Sequence, residues 1–237
     1  MRVLAIVHQR DAGPGVFAEA IDAAGARLEV WEPWAGPPLR RPAAYDAVLT
    51  FGGSMHPDQG RSHAWIDGER ALLAELVQRQ VPTLAVCLGA QLLAGAGGGT
   101  VARASRPEIG WYPVELTDAG AADPLLGPLA PGFEALEWHS YACALPPDAT
   151  ALARTATCLQ AYRIGRQAWG IQFHAEVTRA DLHGWIEDYR SDEDAVAIEL
   201  DPAALRDECE RKIGAWNELG RGLCARFLTV AGARSTA

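Results

Sequence analysis

The chain has 237 residues, of which 49% are hydrophobic and 22% are charged, a composition that excludes a disordered chain and predicts a soluble protein with a sizeable core. Its net charge of −9 would repel a phosphate backbone, so we expect no nucleic-acid partner. The first apolar run spans only Val3–Val7, which is too short for a signal-peptide core or a membrane span. We therefore expect a cytoplasmic protein with no membrane partner.

Short apolar runs alternate with helical patterns through the first hundred residues. Strands are predicted at Val3–Val7, Arg27–Trp31, Ala47–Phe51 and Thr83–Cys87, and helices at Gly15–Ala24, Trp65–Arg79 and Leu88–Ala96. This alternation predicts an α/β fold, a three-layer sandwich around a mostly parallel central sheet. Ligands of such sheets bind at the carboxyl ends of the strands.

The pattern changes in the middle of the chain and again near its end. Short strands separated by Gly/Pro turns, typical of extra antiparallel strands, are predicted at Trp111–Thr117, Glu134–Trp138, Tyr141–Leu145 and Ala151–Thr155. A buried strand at Ala168–His174, a helix at Arg179–Tyr189, a turn at Ser191–Asp194 and one or two helices within Pro202–Val230 follow. We expect residues 1–190 to form the main domain and residues 191–237 a helical extension packed on it.

One cysteine lies where a nucleophile would be expected. The five cysteines lack Cys-x-x-Cys pairing, which predicts free thiols: Cys87, Cys143, Cys158, Cys209 and Cys224. Only Cys87 joins a predicted strand to a predicted helix, in the sequence Ala-Val-Cys-Leu-Gly-Ala-Gln, as in a nucleophile elbow. The N-terminus of the following helix favours a thiolate. The other four cysteines are interpreted as structural.

Two further segments complete a possible site. His174 and Glu176 are two residues apart in an extended segment, so both side chains can face one pocket, with His174 as the base and Glu176 as its orienting partner. Gly52 and Gly53 follow a predicted buried strand, where glycine allows close backbone approach to a ligand. Either segment alone would be weak evidence, and only their combination with Cys87 predicts a catalytic triad.

In this order, Gly-Gly after the third strand, Cys-Leu-Gly-x-Gln at the elbow and Gln-Phe-His-x-Glu near the end resemble the class I glutamine amidotransferases. The chain is most similar to the glutaminase part of GMP synthetase and to stand-alone relatives of it. The resemblance covers about the first 190 residues. It implies the flavodoxin-like three-layer fold of that family, with extra antiparallel strands and C-terminal helices.

The resemblance also implies a mechanism and a set of site residues. Cys87 would attack the side-chain amide of glutamine to form a γ-glutamyl thioester, while His174 transfers protons and Glu176 orients it. Catalysis and binding beyond the triad would involve the backbone N–H groups of Gly53 and Leu88 as the oxyanion hole, and Gln91, Ser140 and Tyr141 as substrate-binding residues. No cofactor is implied.

The acceptor of the ammonia is not specified by these motifs. The sequence contains no Ser-Gly-Gly-x-Asp-Ser ATP loop, so the resemblance implies that the partner is a separate ammonia-accepting synthetase subunit. Two alternatives stay open: a self-sufficient hydrolase of γ-glutamyl peptides or amides, and a catalytically idle binding protein on the same scaffold. No metal site is expected, because His56, Asp58 and His63 lie in a turn-rich segment without a fourth ligand.

Overall fold

Apolar β-branched runs of the N-terminal half form the centre of one nine-stranded sheet. The computed structural model describes residues 1–234. The strands are β1 (Arg2–Ile6), β2 (Arg27–Trp31), β3 (Ala47–Thr50), β4 (Thr83–Val86), β5 (Val101–Leu116), β6 (Gly132–Cys143), β7 (Ala149–Arg154), β8 (Leu159–Ile164) and β9 (Ala168–Ile171). Their order in the sheet is β2-β1-β3-β4-β9-β8-β7-β5-β6.

The sheet is mixed, and its two halves differ in direction. Strands β2, β1, β3, β4 and β9 pair in parallel, whereas every pair from β9 to β6 is antiparallel. Strands β1, β3, β4 and β9 are buried along almost their whole length, as expected for parallel strands covered on both faces. The predicted α/β sandwich with a parallel centre and additional antiparallel strands is confirmed.

Helices cover the two faces of the sheet. They are α1 (Gly15–Ala23), α2 (Trp65–Gln78), α3 (Leu88–Ala96), α4 (Asp118–Ala121), α5 (Arg179–Glu187), α6 (Glu193–Ala197) and α7 (Pro202–Arg234). The apolar residues of α1 and α7 belong to one hydrophobic cluster and those of α2 and α3 to another, which places the two groups in different layers. No helix within residues 1–234 combines the length and the apolarity needed to cross a bilayer.

The structure differs from the sequence prediction at three strands of the antiparallel half and at the segment after α5. The predicted strands Glu134–Trp138 and Tyr141–Leu145 are parts of the single strand β6, and β5 begins ten residues before the predicted Trp111. Proline usually interrupts a strand, but Pro107 lies in a β-bulge between Arg103 and Glu108, and β5 continues through it. Strand β8 has no counterpart in the sequence prediction, and Ser191–Asp194 forms the end of a 3₁₀ turn and the start of α6 instead of a simple turn.

The C-terminal helix α7 is one continuous helix of 33 residues that packs on the segment following β9. The Trp216 indole N–H donates to the carbonyl oxygen of His174 at 2.8 Å, and the Asn217 amide donates to that of Val177 at 2.7 Å. Gly220 lies against the Ala175 carbonyl, where a Cβ atom would clash. The helix therefore braces residues 174–177 directly.

Two glycines of α7 provide a matched test of this bracing. Gly214 has no atom within 4 Å of a Cβ position, so Gly214→Ala should stabilise the protein by about 0.5–1 kcal/mol through helix propensity. Gly220→Ala should instead destabilise it by about 1–3 kcal/mol, because the added methyl displaces α7 from Ala175. Urea unfolding of the two variants measures both effects, and equal changes in stability would contradict the close contact.

Candidate active site

Cys87 lies at a strained turn between β4 and α3. Its φ of +51° and ψ of −111° are rare for a residue with a side chain, and its N–H donates to the Ile171 carbonyl on the neighbouring strand β9. Gly89 permits the turn, since a Cβ atom there would lie 2.6 Å from the Thr50 carbonyl oxygen. The thiol, 6% exposed, thus stands at the carboxyl edge of the sheet, at the N-terminus of α3.

His174 and Glu176 lie together in the segment after β9, both buried. His174 Nδ1 is 2.8 Å from Glu176 Oε1, and the imidazole lies beside Cys87 in the same pocket. Burial alone would lower the pKa of His174, but the negative charges of Glu176 and Cys87 outweigh it and raise that pKa well above its ordinary value. The structure therefore brings the three predicted triad residues together, with a hydrogen bond between His174 and Glu176.

The position of Gly52 explains why the loop after β3 contains glycine. A Cβ atom on Gly52 would lie 3.0 Å from His174 Cε1 and 3.5 Å from Cys87 Cβ, so a larger residue would press on both. Gly53 follows it at the pocket wall, and Leu88 Cδ2 lies 3.6 Å from the Cβ position of Gly53. Leu88 is the first residue of α3, and its N–H consequently has no acceptor within the helix.

The pocket in front of Cys87 has a volume of about 420 Å³. All the predicted site residues except Glu176, which lies behind His174, line it: Gly53, Cys87, Leu88, Gln91, Ser140, Tyr141 and His174. The Gln91 amide nitrogen is 3.3 Å from the Tyr141 carbonyl and 3.2 Å from Gln172 Oε1. Gln91 thus connects the helix that follows Cys87 to the wall formed by β6.

Several pocket residues have no signal in the sequence patterns. The segment after α5 and the first turn of α6 form an acidic rim with Asp188, Asp192, Glu193 and Asp194. The Trp138 indole donates to Asp192 at 2.8 Å, and Arg103 pairs with Asp194 at 2.8 Å. These pairs join the rim to β5 and β6, so part of the segment beyond residue 190 forms a wall of the pocket.

The loop that contains His56 and Asp58 also reaches the pocket mouth. The His56 ring stacks on Tyr141 with centroids 4.6 Å apart, and Asp58 accepts a hydrogen bond of 3.1 Å from the Tyr141 hydroxyl. The sequence analysis considers these two residues as metal ligands and interprets them as part of a polar loop. Their contacts with a predicted substrate-binding residue lie across more than eighty positions of the chain, which no local motif reveals.

A second buried cluster of ionisable groups lies beside the pocket on β5 and β6. His139 Nε2 is 3.2 Å from Glu108 and 3.3 Å from Glu137, and its Nδ1 is 3.0 Å from the Tyr141 carbonyl. Burial would lower the pKa of His139, but hydrogen bonds to Glu108 and Glu137 and the charge of Glu137 raise it to about 10. His139 is therefore an imidazolium ion between two glutamates, and its Nδ1 hydrogen-bonds to the Tyr141 carbonyl oxygen.

Cys158 adjoins the same cluster. Single ligand atoms of Glu108, His139 and Cys158 lie within 4.8 Å of one another, which is compatible with a metal ion by distance. However, the amide nitrogen of Gln160 lies 2.9 Å from the Glu108 carboxylate, 3.4 Å from the Cys158 sulfur and 3.5 Å from His139 Nε2. The amide fills the space between the three groups, and burial raises the pKa of the Cys158 thiol, which disfavours the thiolate that a metal requires.

Comparison with known proteins identifies the relatives of this chain. Residues 17–186 match the family model of the class-I glutamine amidotransferases. The glutamine amidotransferase-like protein YfeJ of Salmonella typhimurium is 30% identical over 192 residues, which cover 79% of this chain and 80% of YfeJ. A glutamine amidotransferase from Thermotoga maritima has a similar structure, with a TM-score of 0.86 and 27% identity over 96% of this chain and 97% of its own.

Glutamine-hydrolysing GMP synthases share part of the sequence. The enzyme of Aeropyrum pernix is 35% identical over 134 residues, which are 54% of this chain but 26% of that enzyme. A GMP synthase subunit of Sulfolobus acidocaldarius is 34% identical over 104 residues, which are 43% of this chain and 54% of that protein. The similarity to GMP synthases is therefore confined to part of their length.

The buried His139 cluster generates a prediction about alkaline stability. A raised pKa means that the stabilisation by His139 is fully present below the ordinary value of 6.5 and is lost as the pH rises through about 10. His139→Gln, which has no charge to lose, should be less stable than the wild type at pH 7, and the gap should close towards pH 10. Urea unfolding of both proteins across this range tests it. A gap independent of pH would show that His139 is not an imidazolium ion in the folded protein.

Proposed function

Because the chain belongs to the class-I glutamine amidotransferase family, we propose that it hydrolyses the side-chain amide of glutamine through a γ-glutamyl thioester and releases ammonia. The observation that carries the proposal is the grouping of Cys87 and His174 in one pocket, with His174 hydrogen-bonded to Glu176. A cysteine at a strained strand–helix turn, next to a base with its own carboxylate partner, is the arrangement of an activated nucleophile.

The proposed reaction assigns a step to each group. Cys87 Sγ attacks the amide carbon, and the carbonyl oxygen becomes an oxyanion that the N–H groups of Gly53 and Leu88 bind. His174 gives its proton to the amide nitrogen, the C–N bond breaks and ammonia leaves. His174 then takes a proton from water, and the resulting hydroxide attacks the thioester. The C–S bond breaks, the product leaves as glutamate after losing its acid proton to solvent, and the Cys87 thiolate beside protonated His174 is restored. The raised pKa of His174 supports this role, since a protonated imidazole beside the sulfur is ready to protonate the leaving group.

The remaining site residues have supporting roles in the proposal. Glu176 orients His174, and Gln91, Ser140 and Tyr141 bind the amino-acid end of the substrate. The proposed acceptor of the ammonia is a separate synthetase protein. The similarity to the GMP synthase of S. acidocaldarius, in which the glutamine-hydrolysing part is a subunit, supports this assignment.

A self-sufficient hydrolase of γ-glutamyl peptides or amides is the second candidate. It is favoured by the state of the site in the isolated chain, where His174 already contacts Cys87 and is bonded to Glu176 at 2.8 Å. A glutaminase that depends on its partner should have low activity when isolated, because its site would be incomplete until the partner binds. An unformed oxyanion hole would have this effect, since it costs several kcal/mol of transition-state stabilisation. Both candidates use the same thioester chemistry.

Substitutions in the triad should lower turnover in a definite order. We expect Cys87→Ala to abolish it, His174→Ala to come close, and Glu176→Gln to retain measurable activity, because an orienting group contributes less than the nucleophile or base it serves. Steady-state ammonia release measures the order, and circular dichroism of each variant controls for folding. A Glu176→Gln variant that is folded but as inactive as Cys87→Ala would give Glu176 a direct chemical role.

Kinetics with two kinds of substrate distinguish the candidate functions. Glutamine should be hydrolysed at least as efficiently as γ-glutamyl dipeptides by the isolated chain. A kcat/KM for the dipeptides about tenfold higher, equivalent to ~1.4 kcal/mol of preference, would replace the proposal with the γ-glutamyl hydrolase. If the wild type hydrolysed neither substrate and Cys87 did not react with a glutamine-like diazoketone, the chain would be a binding protein on this scaffold.

A further inference from the structure

A buried histidine outside the triad contacts the loop that carries Gly53. His8 follows β1 and its side chain is completely inaccessible to solvent. Its Nδ1 is 3.0 Å from the Phe51 carbonyl oxygen and 3.2 Å from that of Gly52, and its Nε2 is 2.7 Å from Glu69 Oε2 on α2. The ring stacks on Trp65 with centroids 4.9 Å apart, so its plane is held as well as its two nitrogens.

The partners of His8 determine where its protons are. Nδ1 faces two carbonyl oxygens, which only accept hydrogen bonds, so this nitrogen carries a proton. Nε2 faces a carboxylate that also accepts a bond of 2.7 Å from the Thr50 hydroxyl, so it carries a proton too. Burial would lower the pKa of His8, but the charge of Glu69 outweighs it and raises that pKa. His8 thus donates to the backbone carbonyl oxygens through Nδ1 and pairs with the Glu69 carboxyl group through Nε2.

The bond from His8 to the Gly52 carbonyl also fixes the neighbouring N–H. The peptide between Gly52 and Gly53 is trans, and in a trans peptide the C=O and N–H bonds point in opposite directions. A Gly52 carbonyl held towards His8 therefore directs the Gly53 N–H away from it. Gly53 borders the pocket and His8 does not, so the pocket lies on the far side of the peptide.

We propose that His8, anchored by Glu69, is a positioning residue that fixes the Gly52–Gly53 peptide with its N–H towards the oxyanion site. The inference rests on the proposed function for the role of that N–H. Glycine has unusual freedom in both dihedral angles, and two consecutive glycines make this peptide easy to rotate. A preorganised donor stabilises the transition state without reorganisation, and a peptide free to flip loses that advantage.

Two isosteric substitutions separate positioning from simple stability. The amide nitrogen of Asn occupies the place of His Nδ1, whereas that of Gln reaches the place of Nε2. His8→Asn should therefore keep the bond to the Gly52 carbonyl and lose Glu69, and His8→Gln should do the opposite. A buried Glu69 that keeps the Thr50 hydroxyl but loses its charged partner is costly, so the melting temperature should fall more in His8→Asn. Catalysis should fall more in His8→Gln. If His8 had only a structural role, the variant with the lower melting temperature would also be the variant with the lower activity.

Expected magnitudes follow from the loss of one donor. In His8→Gln, kcat for glutamine should fall by about tenfold or more, up to the roughly 10²–10³ that removal of an oxyanion-hole donor costs, with little change in KM. In His8→Gln, iodoacetamide should alkylate Cys87 at the wild-type rate, because displacement at a CH₂ group forms no oxyanion. His183→Gln and His183→Asn, at a partly exposed histidine paired with Glu210, are the matched controls and should change neither rate.

The orientation of the peptide can be observed without turnover. In protein labelled with ¹⁵N,¹³C′-glycine, only Gly-Gly pairs give carbonyl-to-amide correlations, and these report Gly53, Gly98 and Gly99. His8→Gln should shift or broaden the Gly53 signal and leave the other two unchanged, while His8→Asn should preserve it. An unchanged Gly53 signal in His8→Gln, or a kcat that follows the melting temperature, would overturn the inference. If the wild type shows no turnover, the proposed function fails, and the Gly53 signal still decides whether His8 holds this peptide.

Discussion

The parallel pairing of four neighbouring strands is the constraint on which the site depends. Strands β1, β3, β4 and β9 are adjacent in the sheet and end at the same edge. In that order, they are followed by four parts of the site: His8, the Gly52–Gly53 loop, Cys87 and His174. Neighbouring strands lie about 4.8 Å apart, so groups just beyond their ends are automatically within contact range. The fold thereby brings together residues that are up to 166 positions apart in the chain.

The buried charged pairs near this edge mainly orient backbone groups, and their net contribution to the stability of the fold is smaller. His8 with Glu69 contacts the loop after β3, and His139 with its two glutamates contacts the Tyr141 carbonyl. Replacing a buried ion pair by apolar groups is often neutral for stability, because desolvation offsets the attraction between the charges. A charged hydrogen bond to a carbonyl oxygen nevertheless sets the direction of a peptide firmly. These pairs are therefore better explained as devices that orient backbone groups.

Sequence patterns predicted the parts of the structure whose causes are local. The turn at Cys87 could be recognised because strand, nucleophile and helix follow one another within a few residues, and the bounds of β2 and α3 were predicted without error. The long hairpin of β5 and β6 was predicted as shorter strands, and the β-bulge between Arg103 and Glu108 in β5 has no local signal in the sequence. The partnership of His8 with Glu69 joins residues 61 positions apart and has no sequence motif. The catalytic and binding roles assigned to the site residues stay predictions.

The C-terminal segment links the stability of the fold to the geometry of the site. The chain leaves the sheet after β9 without regular structure, yet the backbone of residues 174–177 is held by hydrogen bonds from two helices. Trp216 and Asn217 of α7 donate to the carbonyl oxygens of His174 and Val177, and the Val16 N–H of α1 donates to that of Glu176 at 2.8 Å. An irregular segment normally has considerable freedom, and a displacement of about 1 Å can cost a large factor in rate. Since these bonds from two helices hold the segment, the packing of α7 and α1 sets how firmly His174 faces Cys87.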